Sequence, residues 1–306
     1  MNYHLKYRPA AFEEVVGNET LVSTLQGIIE QGDIPHAILL HGPTGCGKTT
    51  LARILANSMG AVGNDLREVD SADFRGIDTV RDMRKQSAFK PLEGDCRVWI
   101  LDECHKMSSD AQSALLKALE DAPKHVYYIL CTTDPQKLLS TIKGRCSQFV
   151  VSTLTDKEMK ILLRRVTKAE GESLTKDIYA QIIQDSLGHP RDALQILAQV
   201  LAVDGDKRLE VATHAAEVQS QTIELCRALI QPAPVWNKIA TILTGLKDQE
   251  PESIRRAVLG YCQAVLLKNG SPNIAQVMGE FIEPFYNTGF PGLTYACYCA
   301  IDIEVY

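Results

Sequence analysis

The sequence predicts an α/β domain, a parallel sheet with helices on both faces, followed by two all-helical parts. Three observations lead there. Short apolar runs alternate with helical patterns as far as Ser152, a glycine-rich loop joins the first run to its helix, and strand patterns then cease. The 306 residues thereby divide into an α/β core over 1–152, a small helical part over 153–212 and a second helical part over 213–306.

The elements follow in order. "HAILLHG" (36–42) is a short buried strand, and "KTTLARILANSM" (48–59) is helical. "LREVD" (66–70) is a strand, followed by a helix from about Ile77 to Ala88. "RVWILDE" (97–103) is the third strand and "SSDAQSALLKALEDA" (108–122) a strongly helical stretch. "VYYILCTT" (126–133) and "SQFVVS" (147–152) close the strand series. Thr155-Asp156-Lys157-Glu158 has the spacing of a capping box, in which a threonine hydroxyl and a glutamate satisfy the first backbone donors of a helix. Further helices fit 174–186 and 191–203, and only helical patterns follow about Thr213, broken at "QPAPV", "DQEP", "KNGSP" and "NTGFPG".

Composition is that of an ordinary globular chain, 45% hydrophobic and 23% charged. No apolar run approaches the ~18 residues of a membrane span, and the first ten residues lack the apolar core of a signal peptide. No membrane partner is expected. Nine cysteines, an odd number with no C-x-x-C pair, predict reduced thiols in a cytoplasm. The net charge of −6 conceals a local basic stretch, Arg75, Arg81, Arg84, Lys85 and Lys90 against Asp78 and Asp82, so a nucleic-acid partner is not excluded.

"GPTGCGKT" (42–49) matches G-x-x-x-x-G-K-[ST] between a strand and a helix. Gly42, Gly45 and Gly47 let the backbone, with Pro43, Thr44 and Cys46, curl its N–H groups around a phosphate. Lys48 places a charge on the β- and γ-phosphates, and the Thr49 hydroxyl suits a Mg²⁺ ligand. With Thr50, these residues predict a nucleoside triphosphate site; a chance loop is the plainer alternative.

"VWILDECHKM" (98–107) raises a choice among a helicase signature, a metal site and the acidic partner of the phosphate loop. A helicase of the DExH type needs a second domain of the same kind, and no strands remain to build one. Cys104 and His105 are neighbours at a strand exit and point apart, which argues against shared metal ligation. The strand delivers its acids to the carboxyl edge where open α/β sheets bind ligands. Asp102 then suits Mg²⁺ and Glu103 the activation of the attacking water.

At this point the chain resembles the AAA+ sliding-clamp loaders, most closely their bacterial DNA polymerase III gamma/tau branch. The likeness covers roughly residues 5–200. It rests on "KYRPAAFEEVVGNE" (6–19), "EVDSADFRGIDTVRDM" (68–83), "DECHKMSSDAQSALLKALEDAP" (102–123), "LCTTDPQKLLSTIKGRC" (130–146) and "GHPRDAL" (188–194), in that order. The resemblance implies an AAA+ ATPase core, a helical lid and a helical collar that holds subunits together. It implies that Tyr7, Arg8, Pro9, Val16 and Gly17 cradle the adenine, with Pro190 packing on it. Thr133, or alternatively Thr132, would sense the γ-phosphate, and Arg191 would be a second sensor from the lid. The family motif Ser-Arg-Cys reads Gly144-Arg145-Cys146 here, so Arg145 would be the arginine finger reaching the neighbouring subunit's nucleotide. Arg75, Arg81, Arg84, Lys85 and Lys90 would meet primer–template DNA, Arg75 one place away from the family's usual arginine.

The expectation is an ATP- and Mg²⁺-dependent motor subunit that opens a sliding clamp and sets it on primer–template DNA. It would act with other loader subunits in a homo- or hetero-pentamer, in the cytoplasm of a bacterial or phage-infected cell. The family's four-cysteine module is missing from "GAVGNDLRE" (60–68), so zinc is not expected. The absence of a long C-terminal extension would suit a bacteriophage or minimal bacterial relative. Rival expectations are a non-hydrolysing structural subunit of the same assembly, and a different AAA+ DNA-remodelling ATPase.

Overall fold

Successive residues of a strand face opposite sides of the sheet, and here that alternation builds two separate cores. The computed structural model describes residues 2–71, 76–212, 221–247 and 249–301. Five strands, β1 (Ala37–His41), β2 (Leu66–Asp70), β3 (Arg97–Asp102), β4 (Val126–Thr132) and β5 (Ser147–Val150), form one sheet in the order β2-β3-β4-β1-β5. All four pairings are parallel. On one face Ile38, Leu40, Val98, Ile100 and Ile129 pack with Leu21 and Leu25 of α2 (Glu19–Gln31) and Leu51, Ile54 and Leu55 of α3 (Lys48–Ser58). On the other, Leu39, Trp99, Leu101, Tyr128 and Leu130 meet α4 (Ile77–Ser87) and α5 (Ser109–Glu120) through Val80, Met83, Leu115 and Leu119. A short α1 (Tyr3–Lys6) precedes them.

Central strands buried on both faces read as unbroken apolar runs, which is why β3 and β4 were plain in the sequence. The edge strand β2 instead exposes Arg67 and Glu68, charges that discourage pairing with another chain. Polar groups inside the second core are satisfied: Trp99 Nε1 donates to Ser87 Oγ at 3.0 Å, and Ser87 Oγ lies 3.3 Å from the Tyr128 hydroxyl. Beside β3, Arg97 and Asp65 form a buried ion pair at 3.0 Å. The remaining Asp65 oxygen accepts three backbone N–H groups, from Leu92, Glu93 and Gly94, at 2.7–3.0 Å.

Two of the helices begin on side-chain caps. Ser108 Oγ accepts from Ala111 N at 3.2 Å, a cap that stabilises α5 by about 1 kcal/mol. The Thr155–Glu158 capping box opens α7 (Asp156–Ala169), with both reciprocal bonds present. A four-residue helix, α6 (Ser140–Lys143), comes between β4 and β5.

Two compact units divide the chain. The first comprises 1–171 with 188–194; the second comprises 172–187 with 195–306. The first therefore holds the whole sheet, α7 and the opening turn of α9 (Pro190–Val200), whereas α8 (Lys176–Ser186) belongs to the second. Among its described residues the second unit is helical, with longer helices at Gln221–Ile230, Trp236–Gly245, Pro251–Asn269, Pro272–Glu280 and Gly289–Cys299. Leu225, Cys226, Val258, Cys262, Phe281 and Cys297 fill its interior. Glu252, 4% exposed, is bound by Arg255 through contacts of 2.5–3.0 Å and by the Phe285 N–H at 3.1 Å. No described helix is long and apolar enough to cross a membrane.

Candidate nucleotide site

Parallel pairing brings the carboxyl ends of β1, β3 and β4 to one edge of the sheet. His41 of β1 is in register with Thr132 of β4, and Leu101 of β3 with Leu130. The glycine-rich loop leaves β1 there, and its shape depends on two glycines. Gly42 lies so close to β5 that a Cβ would sit 2.0 Å from the Val151 carbonyl oxygen. Gly45 has φ +71 and would bring a Cβ to 3.3 Å from Arg191 Cβ, so the start of α9 lies against the loop.

Lys48, 5% exposed, turns its ammonium back onto the loop, donating to the carbonyls of Gly42 at 2.9 Å and Pro43 at 2.8 Å. Burial lowers its pKa, with Glu103 and Asp102 opposing. The Thr49 hydroxyl donates to Asp102 Oδ2 at 2.6 Å. Asp102 Oδ1 accepts the Glu103 N–H at 2.9 Å. Glu103 adopts φ +47, an unusual conformation for a residue with a side chain. Its carboxylate meets Thr133 Oγ1 at 3.4 Å, His105 Nε2 at 3.6 Å and Lys106 Nζ at 3.8 Å. Lys48, Thr49, Asp102, Glu103 and Thr133 therefore converge, while Thr132 turns its buried hydroxyl toward His105.

Beside the loop opens a cavity of about 380 Å³, within the size range of small-molecule sites. The amino-terminal segment gives Tyr7, Arg8, Pro9 and Val16 to its wall, the loop gives Gly45, Cys46, Gly47 and Thr50, and α9 gives Pro190 and Arg191. Gly17 stands behind the wall, facing Leu154 and Glu158. Residues not anticipated from sequence complete the enclosure: His4, Leu154, and Leu162, Arg165 and Val166 of α7. Leu162 and Val166 are four apart on an amphipathic helix, a visible signal of a buried face but not of what the face covers. Arg165 donates to the Glu14 carbonyl at 2.6 Å, and Glu170 accepts from Lys6 at 2.5 Å and from the Tyr7 hydroxyl, so α7 holds the amino-terminal wall in place. His189 Nδ1 lies 2.8 Å from the Thr44 carbonyl oxygen and 3.6 Å from Cys46 Sγ. Burial pushes the Cys46 thiol up to about 11, so it is a neutral wall group and not a nucleophile.

The donors fit the group that the loop pattern implies. A hydroxyl and a carboxylate 2.6 Å apart are the hard oxygen ligands that Mg²⁺ takes. Among the described residues, no three His, Cys, Asp or Glu side chains are grouped to hold a metal by themselves.

The remaining candidates lie on the surface. Arg145 donates to the Thr141 carbonyl at 3.1 Å and pairs with Glu120; its side chain is 40% exposed and lines no part of the cavity. Arg81 pairs with Asp78 and Lys85 with Asp82, each at 3.0 Å, and Arg84 lies 3.7 Å from Asp121. Lys90 is exposed beyond α4, and Arg75 lies outside the described residues. Three of the basic side chains thus already face carboxylates, which reduces the positive field of this helix.

Known proteins share this architecture. A profile of the family described as "DNA polymerase III, delta subunit" matches residues 61–155. DNA polymerase III subunit gamma/tau of Mycobacterium bovis is 36% identical over 229 residues, 67% of this chain and 40% of that protein. Subunit tau of Bacillus subtilis is 34% identical over 91% of this chain and 54% of its own length. Subunit tau of Escherichia coli is 33% identical over 73% and 38%. The chain spans about half the length, or less, of these relatives. Among solved structures, the Thermotoga maritima RuvB Holliday junction branch migration motor superposes with a TM-score of 0.59 at 19% identity, over 78% of this chain and 85% of that one. At that identity the likeness concerns the fold, which is the AAA+ P-loop fold.

Proposed function

Taking as premise that this chain is a homologue of the bacterial DNA polymerase III gamma/tau subunits, we propose that it is the ATP-hydrolysing motor subunit of a sliding-clamp loader. The observation that carries the catalytic part is the 2.6 Å pairing of Thr49 with Asp102 beside Glu103, at the end of the same loop that lines the cavity through Gly45, Cys46 and Gly47. Thr49 and Asp102 would hold Mg²⁺, which would supply positive charge to offset that of the β- and γ-phosphates. Lys48 exchanges the carbonyls of Gly42 and Pro43 for phosphate oxygens. Glu103 orients the attacking water, and Thr133, which touches its carboxylate, reports the γ-phosphate. Tyr7, Arg8, Pro9, Val16 and Pro190 enclose the base; Gly17 backs that wall. Arg191, on the same short segment that presses against Gly45, links nucleotide to lid.

Arg145 lines no part of its own cavity and, once it leaves Glu120, serves a neighbouring protomer's nucleotide, where such an arginine raises the rate by roughly 10³–10⁵. In the same proposal residues 213–306 join subunits into a ring, ATP ordering of that ring opens the clamp, and DNA contact triggers hydrolysis. Lys90, and Arg81, Arg84 and Lys85 once their carboxylate partners release them, then meet phosphates, contacts that position DNA without selecting sequence. The test is ATP turnover of the assembled complex with clamp and primer–template DNA, for the native chain and for Glu103→Gln. Turnover stimulated by both and lost in the variant supports the proposal; a native chain that binds MgATP and never hydrolyses it defeats it.

A further inference from the structure

His105 joins two residues that the site otherwise leaves separate. It lies in the short turn Cys104–Lys106 after β3, with its side chain 10% exposed. Nδ1 lies 2.9 Å from the Thr132 hydroxyl, and Nε2 lies 3.6 Å from Glu103 Oε2. Thr132 is fully buried, and its hydroxyl oxygen already accepts the Asp134 N–H at 3.0 Å.

These contacts decide where the ring carries its proton. Burial lowers the His105 pKa; Glu103 opposes this, Lys106 and Lys137 reinforce it, and Asp134 opposes it, so the ring is neutral near pH 7. Were the one N–H on Nδ1, the Thr132 hydroxyl would be aimed at by two donors with no acceptor for its own hydrogen. The Nε2 lone pair would then face the Glu103 carboxylate. With the proton on Nε2, the Thr132 hydroxyl donates to Nδ1 and the Nε2–H points at Glu103. Only this second arrangement satisfies each buried group. Among the described residues the shortest side-chain contact of Glu103 Oε2 is Thr133 at 3.4 Å, followed by His105 and Lys106, so its carboxylate depends on these neighbours for direction.

The geometry points to His105 as a positioning residue for Glu103, transmitting the fixed place of Thr132 on β4 to the carboxylate that orients water. This rests on the role proposed above for Glu103. A 3.6 Å separation is too long for a full hydrogen bond, and contacts of this kind shorten when substrate binds.

The experiment compares the native complex with His105→Ala, His105→Gln, Glu103→Gln and the double variant Glu103→Gln/His105→Ala. Binding of a fluorescent ATP analogue and single-turnover hydrolysis are measured for each, together with imidazole ¹⁵N shifts of the native chain. His105→Ala is expected to keep nucleotide affinity within about 2-fold while turnover falls roughly 10- to 100-fold, as when an orienting partner is lost. The glutamine, whose amide reaches as far as Nε2, recovers most of that loss. Alanine costs nothing further where Glu103 is already glutamine. Full turnover in His105→Ala, an equal loss in the Glu103→Gln background, or loss of nucleotide binding with both substitutions would overturn the inference. The ¹⁵N shifts must report an Nε2–H ring. An Nδ1–H ring overturns the inference even in a chain that never hydrolyses ATP, so this failure is distinct from failure of the proposed function.

Discussion

The Thr49 hydroxyl and Asp102 Oδ2 stand 2.6 Å apart, tying the first turn of α3 to the end of β3 across 53 residues of sequence. That single hydrogen bond holds together the two oxygens proposed above as Mg²⁺ ligands. Thr49→Ser, which keeps the oxygen, is expected to retain most activity. Thr49→Ala is expected to lower ATP turnover by at least about 10-fold and to raise the Mg²⁺ concentration needed for half-maximal rate. Turnover titrated against Mg²⁺ checks both; an unchanged Mg²⁺ dependence in the alanine variant would contradict the assignment.

The phosphate loop makes a second expectation, about space. Gly42→Ala forces a Cβ to 2.0 Å from the Val151 carbonyl, a backbone atom that cannot step aside cheaply. The substitution should cost at least about 2 kcal/mol, in the range of strained backbone sites, and displace the loop. Gly27, inside α2 with open space around it, is the control. There alanine is expected to stabilise by about 0.5–1 kcal/mol through helix propensity. Thermal unfolding of the two variants should therefore move in opposite directions.

How far these sites were legible in the sequence depends on how local their causes are. Asp102 and Glu103 were visible because a strand of unbroken apolar residues ends at them, and the loop from Gly42 to Thr49 because its glycines answer a steric need within eight residues. The enclosure of the cavity was not. Leu162 and Val166 of α7 look like any core face until the amino-terminal segment is seen lying opposite, held by Glu170 and Arg165. The basic run showed the same mixture. Asp78 and Asp82 stand three residues before Arg81 and Lys85 and could be seen there, but Asp121 reaches Arg84 only through the packing of α4 beside α5. Arg145 likewise meets Glu120 across 25 residues of chain.

Acid sensitivity should centre on Asp65. Burial alone would raise its pKa, but the N–H groups of Glu93 and Gly94, the Arg97 guanidinium and the Leu92 N–H lower it to about 2, against an ordinary 3.8. Because the folded value is the lower one, the stabilisation is present above the ordinary value and is lost as pH falls from about 4 through 2. Asp65→Asn, which leaves the buried guanidinium without its counter-charge, should cost about 3 kcal/mol at neutral pH. The gap between variant and native protein should narrow below pH 4. Urea unfolding at a series of pH values measures this; a gap independent of pH would place the cost in packing instead.

Arg145 separates stability from turnover most cleanly. Its partner Glu120 is 44% exposed, and a surface pair of this kind contributes at most about 1 kcal/mol. Arg145→Ala should therefore leave the unfolding midpoint almost unchanged, and nucleotide affinity with it, because the side chain lines no part of its own cavity. If the guanidinium completes a neighbour's site, turnover of the assembled complex should nonetheless fall by roughly 10³-fold or more. Lysine at 145 should not restore it, since a point charge cannot reproduce the planar fork of donors. Mixing decides whether the effect acts between protomers. Arg145→Ala combined with Glu103→Gln chains should regain turnover at interfaces where an intact Arg145 faces an intact Glu103, whereas an arginine acting only within its own chain would give no recovery on mixing.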